Sequence, residues 1–582
     1  MRSLLFAAIS GLLLAESLCA QDGTAKERAE IASLVEQVFK VASPDRGMGD
    51  EAQKLSEKFI KLDQRKVVEE LLPLLESKKT GVAFLASYII HECDDGAVVP
   101  GQLEALIKGY HNDGGWLPRA IASLRTEEAA EFLAREFRSN PHQGQLDSSL
   151  IWLGEKSVPF LLKGFEEADL EKEEKYLEEL IRVFGEMKAK GSSALPRLLA
   201  VAESAKYDVE RRKQAVLIIG AIGDAAESSF SRLIALSKHE PQFFADTVRQ
   251  AIANSGSASA APILADYVDQ GNVDSIYYIA HLGPKGKSVG PRVAGWLDHE
   301  DWNARAVAVD AIAAIGYKEE RQTLEKLLSS RTNWRVAYAA AQALATLGSK
   351  ESIPALSAAA NSHWFPFVRE KAANAVKILE GEKPAPASGP HFGGGYYAEE
   401  GEAWTIASGK IPGLSSPQLR EEEFSSFESR APELAKKFLS RRDWNGEEHL
   451  RSFGGITSCP TKDGVLLGAN AGEWVGGLAY IPNNGDVTMV LRENAAGIEK
   501  WQERILVAVG MYHLGMNNGL VHEVRITGGK VSVVPWFMLP GSPRAMWVSA
   551  KDQLVVECYG GTMVFSDPST FEYHSAPRQK DN

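Results

Sequence analysis

Between residues 142 and 380 the apolar positions recur at helical spacing, and the pattern breaks at regular intervals on a glycine. These glycines are Gly154, Gly185, Gly223, Gly256, Gly283, Gly316 and Gly348, at steps of 31, 38, 33, 27, 33 and 32 residues. A glycine there predicts a helix end, because it enters the left-handed region without Cβ strain. The register holds along the apolar face. Ile312, Leu344 and Val376 are 32 apart, as are Ile315, Leu347 and Leu379. A second helix is predicted after each glycine, and several open on proline: Pro159, Pro196, Pro262 and Pro354. Proline is tolerated in a first helical turn, so it marks the start. From Phe453 onward the period becomes two. Strands are predicted over 464–469, 477–481, 487–491, 505–512, 520–526, 531–537, 545–549, 554–559, 562–565 and 571–574. Turn pairs separate them: Asn484-Gly485, Asn518-Gly519, Gly528-Gly529 and Gly560-Gly561.

Two helices in about 32 residues cannot bury a core alone, so the repeats must stack on one another. Lines such as Trp334-Arg335-Val336-Ala337-Tyr338-Ala339-Ala340-Ala341-Gln342-Ala343-Leu344 resemble the HEAT repeat family in its short bacterial form. Seven repeats are clear, and 67–75 and 84–91 read as parts of about three degenerate ones. The resemblance implies an α-solenoid that binds protein on a concave surface, which is analogy at the level of the fold. In the β-rich part Gly477, Gly519 and Gly561 are spaced by 42 and 42 residues, the length of a four-stranded propeller blade. No signature there supports a named family. The fold class expected is therefore α+β multidomain, with an N-terminal all-α HEAT-like solenoid followed by an antiparallel all-β module of propeller-like blades.

The ends and the composition fix the expected organisation. Residues 1–20 carry Arg2 and an apolar run from Leu4 to Ala15, which reads as a signal peptide cut between Ala20 and Gln21. Leu18 is the wrong neighbour for lipidation of Cys19. No later stretch has 18 consecutive apolar residues, so the mature chain is expected to be secreted or periplasmic, without a membrane span. The solenoid is assigned to 21–380, a Pro- and Gly-rich linker to 381–403, a short helical segment to 404–450, the β-rich module to 451–577 and a tail to 578–582. The 582 residues carry a net charge of −13, and neither residues 387–582 nor the part before them has the basic surplus that nucleic acid requires. After cleavage three cysteines remain. Cys459 and Cys558 could pair, although two buried thiols fit as well.

Candidate chemistry is sparse. His91-Glu92, His239-Glu240 and His299-Glu300 invite comparison with the di-iron repeats of deoxyhypusine hydroxylase. They sit at unequal places in their repeats and read as solvated turn residues. The acidic run Glu166 to Glu179 reads as an exposed face held by i,i+4 pairs. Trp302, Trp334 and Trp364 begin first helices and read either as anchors for a partner or as packing between repeats. Trp536 reads as a blade-core residue or as part of a sugar-stacking platform. If Asn518-Gly519 is a two-residue turn, His513 and His522 lie diagonally on one face and could share a ligand. No metal set and no cofactor is predicted. The function expected is an exported, non-catalytic scaffold that binds a protein. The alternative is an extracytoplasmic enzyme or carbohydrate-binding protein with its site in the β module, where His513, His522 and Glu557 would be the first residues to inspect.

Overall fold

The structure is a computed structural model that describes residues 25–42, 49–79, 81–113, 115–143, 145–239, 242–384, 440–442, 448–450, 455–470, 476–513 and 516–575. The expected signal peptide, with its Ala20 and Gln21 cleavage site, lies outside these residues. So do nearly all of the linker and most of the helical segment assigned to 404–450. The chain divides into two compact units, Met1–Ala260 and Ala261–Asn582. Among the described residues no helix is long and apolar enough to cross a membrane.

The first unit is built of short paired helices, among them Val158–Glu167, Glu174–Met187, Leu195–Glu203, Val209–Ala221 and Gln242–Asn254. Local chemistry sets their starts. Pro159 and Pro196 stand in first turns, and the Asp208 carboxylate accepts from the Arg211 amide at 2.9 Å. Gly154, Gly223 and Gly256 have φ of 58°, 88° and 63°, as expected of terminators. Gly185 differs. It lies inside Glu174–Met187, and Lys188 at φ 49° makes the break instead. Close approach is real where the residues are small: a Cβ on Gly220 would lie 2.5 Å from the Ala251 carbonyl oxygen. The acidic run does more than pair within its own helix. Glu166 meets Arg197 through two bonds of 2.6 and 2.7 Å, and Glu173 meets Arg138 at 2.7 Å. These partners are 31 and 35 residues apart, about one repeat, so the run ties neighbouring repeats together. The Arg197 guanidinium holds the Glu166 carboxyl below its ordinary range.

The second unit continues with helices that include Trp302–Ala314, Trp334–Leu347, Ile353–Ser362 and Pro366–Glu380. Gly283, Gly316 and Gly348 again take positive φ, of 55°, 68° and 70°. Trp334–Leu347 is buried on nearly every side, which explains why its alanines run almost without polar interruption.

Strands β1 (Ser440–Arg442) and β2 (Glu448–Leu450) pair with each other. The rest form three antiparallel four-stranded sheets, each following sequence order. The first holds β3 (Gly455–Pro460), β4 (Gly464–Asn470), β5 (Gly477–Pro482) and β6 (Thr488–Leu491). The second holds β7 (Ala495–Trp501), β8 (Arg504–His513), β9 (Met516–Thr527) and β10 (Lys530–Met538). The third holds β11 (Pro543–Val548), β12 (Leu554–Cys558), β13 (Gly561–Asp567) and β14 (Thr570–Ser575). The 42-residue repeat falls on the third strand of each sheet: Gly477 opens β5, Gly561 opens β13 and Gly519 lies near the start of β9. The middle sheet is covered on both faces. Leu506 and Ala508 join one apolar cluster with Met546, Val556 and Phe565. Val507 and Val509 join another with Leu466, Leu478 and Tyr480. Two-sided burial explains the unbroken apolar run from 505 to 509.

One expectation is corrected here, and of the two readings of Cys459 and Cys558 the buried free thiols hold. The strand register pairs Gly510 with Gly519, Met511 with Asn518 and His513 with Met516. Asn518-Gly519 is therefore inside β9 and is not a turn. Glycine is required at 519 by close packing and not by a turn, since a Cβ there would lie 2.0 Å from the Gly541 carbonyl oxygen. Cys459 and Cys558 are not bonded to each other. They belong to different clusters on opposite faces of the middle sheet.

Candidate functional site

The site begins with the turns that precede the last helices. Asn333 caps Trp334–Leu347, its side chain accepting from the Val336 amide at 3.1 Å. The cap sets Trp334 at the first helical position, where its indole leaves the repeat and meets the sheets. Trp334 is 5% exposed, and its Nε1–H donates to the Leu539 carbonyl at 2.8 Å. Its ring lies 4.4 Å from Phe365. The Met538 amide donates in the other direction, to the Thr332 carbonyl at 2.7 Å. Arg335, 1% exposed, donates through a terminal guanidinium nitrogen to the Asn517 carbonyl at 3.0 Å. Its guanidinium lies 4.7 Å from the Trp334 ring centroid and 5.7 Å from that of Trp302.

One repeat later Trp364 does related work. Its Nε1–H donates to the Arg331 carbonyl at 2.9 Å. Its ring stands 5.3 Å from Tyr573, 5.5 Å from Phe571 and 5.8 Å from Phe537. His363 fixes this turn: Nδ1 accepts from the Phe365 amide at 3.1 Å, so Nε2 carries the proton and donates to the Ser330 carbonyl at 3.2 Å. Burial holds this imidazole below its ordinary pKa. Trp536 packs against the same cluster as Trp364, 5.0 Å from Phe565.

The structure thus brings Trp302, Trp334, Trp364 and Trp536 to one region, where the last helices of this unit pack on its second and third sheets. It does not join the two histidines. His522 is paired on its two sides with Val507 and Pro535, and the register removes the diagonal expected with His513. Both ring nitrogens of His522 are buried without a hydrogen-bond partner. Burial lowers its pKa to about 4, so it is neutral at pH 7. Glu557 faces Arg544 at 3.9 Å. The Cys93 thiol is pushed up to about 12 and the Cys558 thiol is also raised by burial, so both stay protonated and unreactive. Among the described residues no group of three or more His, Cys, Asp or Glu could hold a metal ion.

Sequence reasoning missed Arg335, Asn517, Met538 and Leu539, three of which contribute backbone atoms that carry no side-chain signature. Arg335 had one available signal, a charged residue inside an otherwise apolar, alanine-rich helix.

Residues 291–377 match the family described as HEAT repeats. The chain is similar to two solved structures of the karyopherin Kap121p. One is bound to the extreme C-terminus of the protein phosphatase Cdc14p: 12% identity over 60% of this chain and 46% of that chain, TM-score 0.38. The other is bound to Ste12p: 13% identity over 61% and 49%, TM-score 0.31. The chain spans about half the length of these structures. No curated protein sequence matches it.

Proposed function

We propose that this chain is an exported, non-catalytic interaction scaffold that binds a protein partner along a concave face of its helical repeats. One observation carries the reading. The last repeats already hold a protein surface, the sheets of their own unit, through Trp334, Arg335 and Trp364. An edge that buries aromatic and Arg side chains and pairs backbone groups has the chemistry of a protein interface. The HEAT repeats at 291–377 support the same reading. Export rests on the composition of residues 1–20.

The test places photoreactive residues in the full chain in its native host. Exposed positions on the repeats (Arg197 and Arg232) are compared with exposed positions on the sheets (Lys530 and Glu572). A discrete protein adduct from the repeat positions, on a chain whose N-terminus is Gln21, is the expected result. Adducts formed only from the sheet positions, or an N-terminus at Met1, would contradict it.

A further inference from the structure

One edge of the first unit carries cations that the fold leaves without a carboxylate. On the helices, Arg138, Arg182, Arg197 and Arg232 each meet a Glu or Asp side chain. The turns between paired helices differ. Arg125, Lys156, Lys188 and Lys190 are exposed, and none of them forms an ion pair among the described residues. They sit together. The Arg125 guanidinium lies 4.5 Å from the ring centroid of Trp152, which is 37% exposed. Lys156 donates to the Arg125 carbonyl at 2.6 Å. One repeat on, the Lys190 side chain lies against Gly154, where a Cβ would meet its methylenes at 3.3 and 3.4 Å. Lys188 opens that same turn, Lys188–Ala194. Arg125 and Lys188 have φ of 53° and 49°, at helix ends where other repeats place glycine. Glycine would relieve both positions, so the backbone strain marks their side chains as the retained feature.

We propose that this edge, formed by Arg125, Trp152, Lys156 and Lys190, docks an acidic segment of a partner protein in which carboxylates stand beside an apolar side chain. A guanidinium stacked on an indole keeps its N–H edge open and is already oriented for a carboxylate fork. The exposed part of the Trp152 ring takes the apolar side chain. Lys156 and Lys190 add attraction for further carboxylates. A continuous polyanion fits less well. Glu127, Glu128 and Glu155 are exposed and interrupt the cations, so successive phosphates of a nucleic acid or a lipid surface would meet carboxylates. The net charge of −13 opposes both. A peptide can space its carboxylates to avoid them. This site goes beyond the scaffold reading above, because it places a partner on the turns and not on the helix faces.

The experiment titrates the full chain into a fluorescein-labelled peptide of repeated Glu-Asp-Phe units and reads anisotropy. A peptide of repeated Gln-Asn-Phe units, oligothymidylate and phosphatidylserine vesicles are the comparisons. The acidic peptide should bind with a Kd on the order of 100 μM or tighter. Binding should weaken about threefold or more between about 0.02 and 0.15 M salt. Arg125→Gly relaxes the backbone, so that variant should melt no lower than wild type while its affinity falls about tenfold. Trp152→Ala should lose a similar factor. The proposal is overturned if the acidic peptide does not bind below about 1 mM, if either variant binds it as wild type does, or if any of the three comparisons binds as tightly. Crosslinking from the helix faces is unaffected by these outcomes, so failure here is distinguishable from failure of the scaffold reading.

Discussion

Replacing Trp334 by alanine probes the packing of helices on sheets at its centre. The indole is 95% buried, lies against Phe365 and gives its only N–H to Leu539, itself fully buried. Truncating a buried Trp to Ala costs about 3–5 kcal/mol in lost burial and residual cavity. Within that sum, leaving the Leu539 carbonyl unpaired accounts for about 1 kcal/mol or more. Trp334→Phe keeps most of the apolar area and should cost only about 1–2 kcal/mol. Urea unfolding can be followed by site-resolved thiol labelling. Cys558 is fully buried in the cluster that Trp364 covers, and Cys93 in the other unit provides an internal reference. With a slope of about 2–3 kcal/mol per molar urea, Trp334→Ala should lower the Cys558 midpoint by about 1–2 M. The Cys93 midpoint should not move. A Cys558 midpoint unchanged to within about 0.3 M would show that the indole contributes little and that the packing argument is wrong.

His522 should make the second unit acid-sensitive. Its pKa falls from 6.5 to about 4 on folding, so between those values the unfolded chain binds the extra proton. Stability is therefore full above about pH 6.5 and declines as pH falls towards 4, by about 3 kcal/mol in all. His522→Phe should lose that part of the slope, seen by fluorescence-detected urea unfolding at several pH values; an unchanged slope would exclude the assignment. Gly519→Ala places a Cβ 2.0 Å from the Gly541 carbonyl oxygen and should cost about 3 kcal/mol or more. Gly256→Ala meets open space at φ 63° and should cost only about 1–2 kcal/mol. Thermal melting of the two variants separates a contact effect from a backbone effect, and equal losses would refute the distinction. Native alkylation analysed by mass spectrometry should find Cys93, Cys459 and Cys558 as slow-reacting thiols. A 459–558 disulfide peptide would contradict their separate placement.

The helical repeats were legible because each one must solve the same problem, ending a helix at a fixed place and burying one stripe. Glycine and proline announce those ends. Where another residue does the job, as Lys188 does for Gly185, the pattern misplaces the break by three residues. The sheets were legible wherever strands are β-branched or aromatic. β3 was missed, and β7 was missed because AAGIEKW carries alanine and glycine where the sheets pack closely; a Cβ on Gly497 would lie 2.6 Å from Met546. The Asn-Gly pair at 518–519 misled because its turn signal is overridden by pairing along the whole of β8 and β9. Trp334 and Trp364 were singled out as either anchors or packing residues, but the sheets they pack on were not foreseen. Pairing between residues some 200 positions apart, such as Trp334 with Leu539, leaves no local periodicity.

The most direct test of the account is amide exchange at Met538. This residue ends β10, an outer strand of its sheet, and its N–H bonds out of the sheet to Thr332 before the helix. The neighbouring Leu539 amide bonds to Gly519 in β9 at 3.0 Å. If the last helices pack on the sheets as described, Met538 and Leu539 should be protected together and open with the same free energy. Met538 exchanging at the rate of an unprotected edge amide, with Leu539 still slow, would contradict that packing.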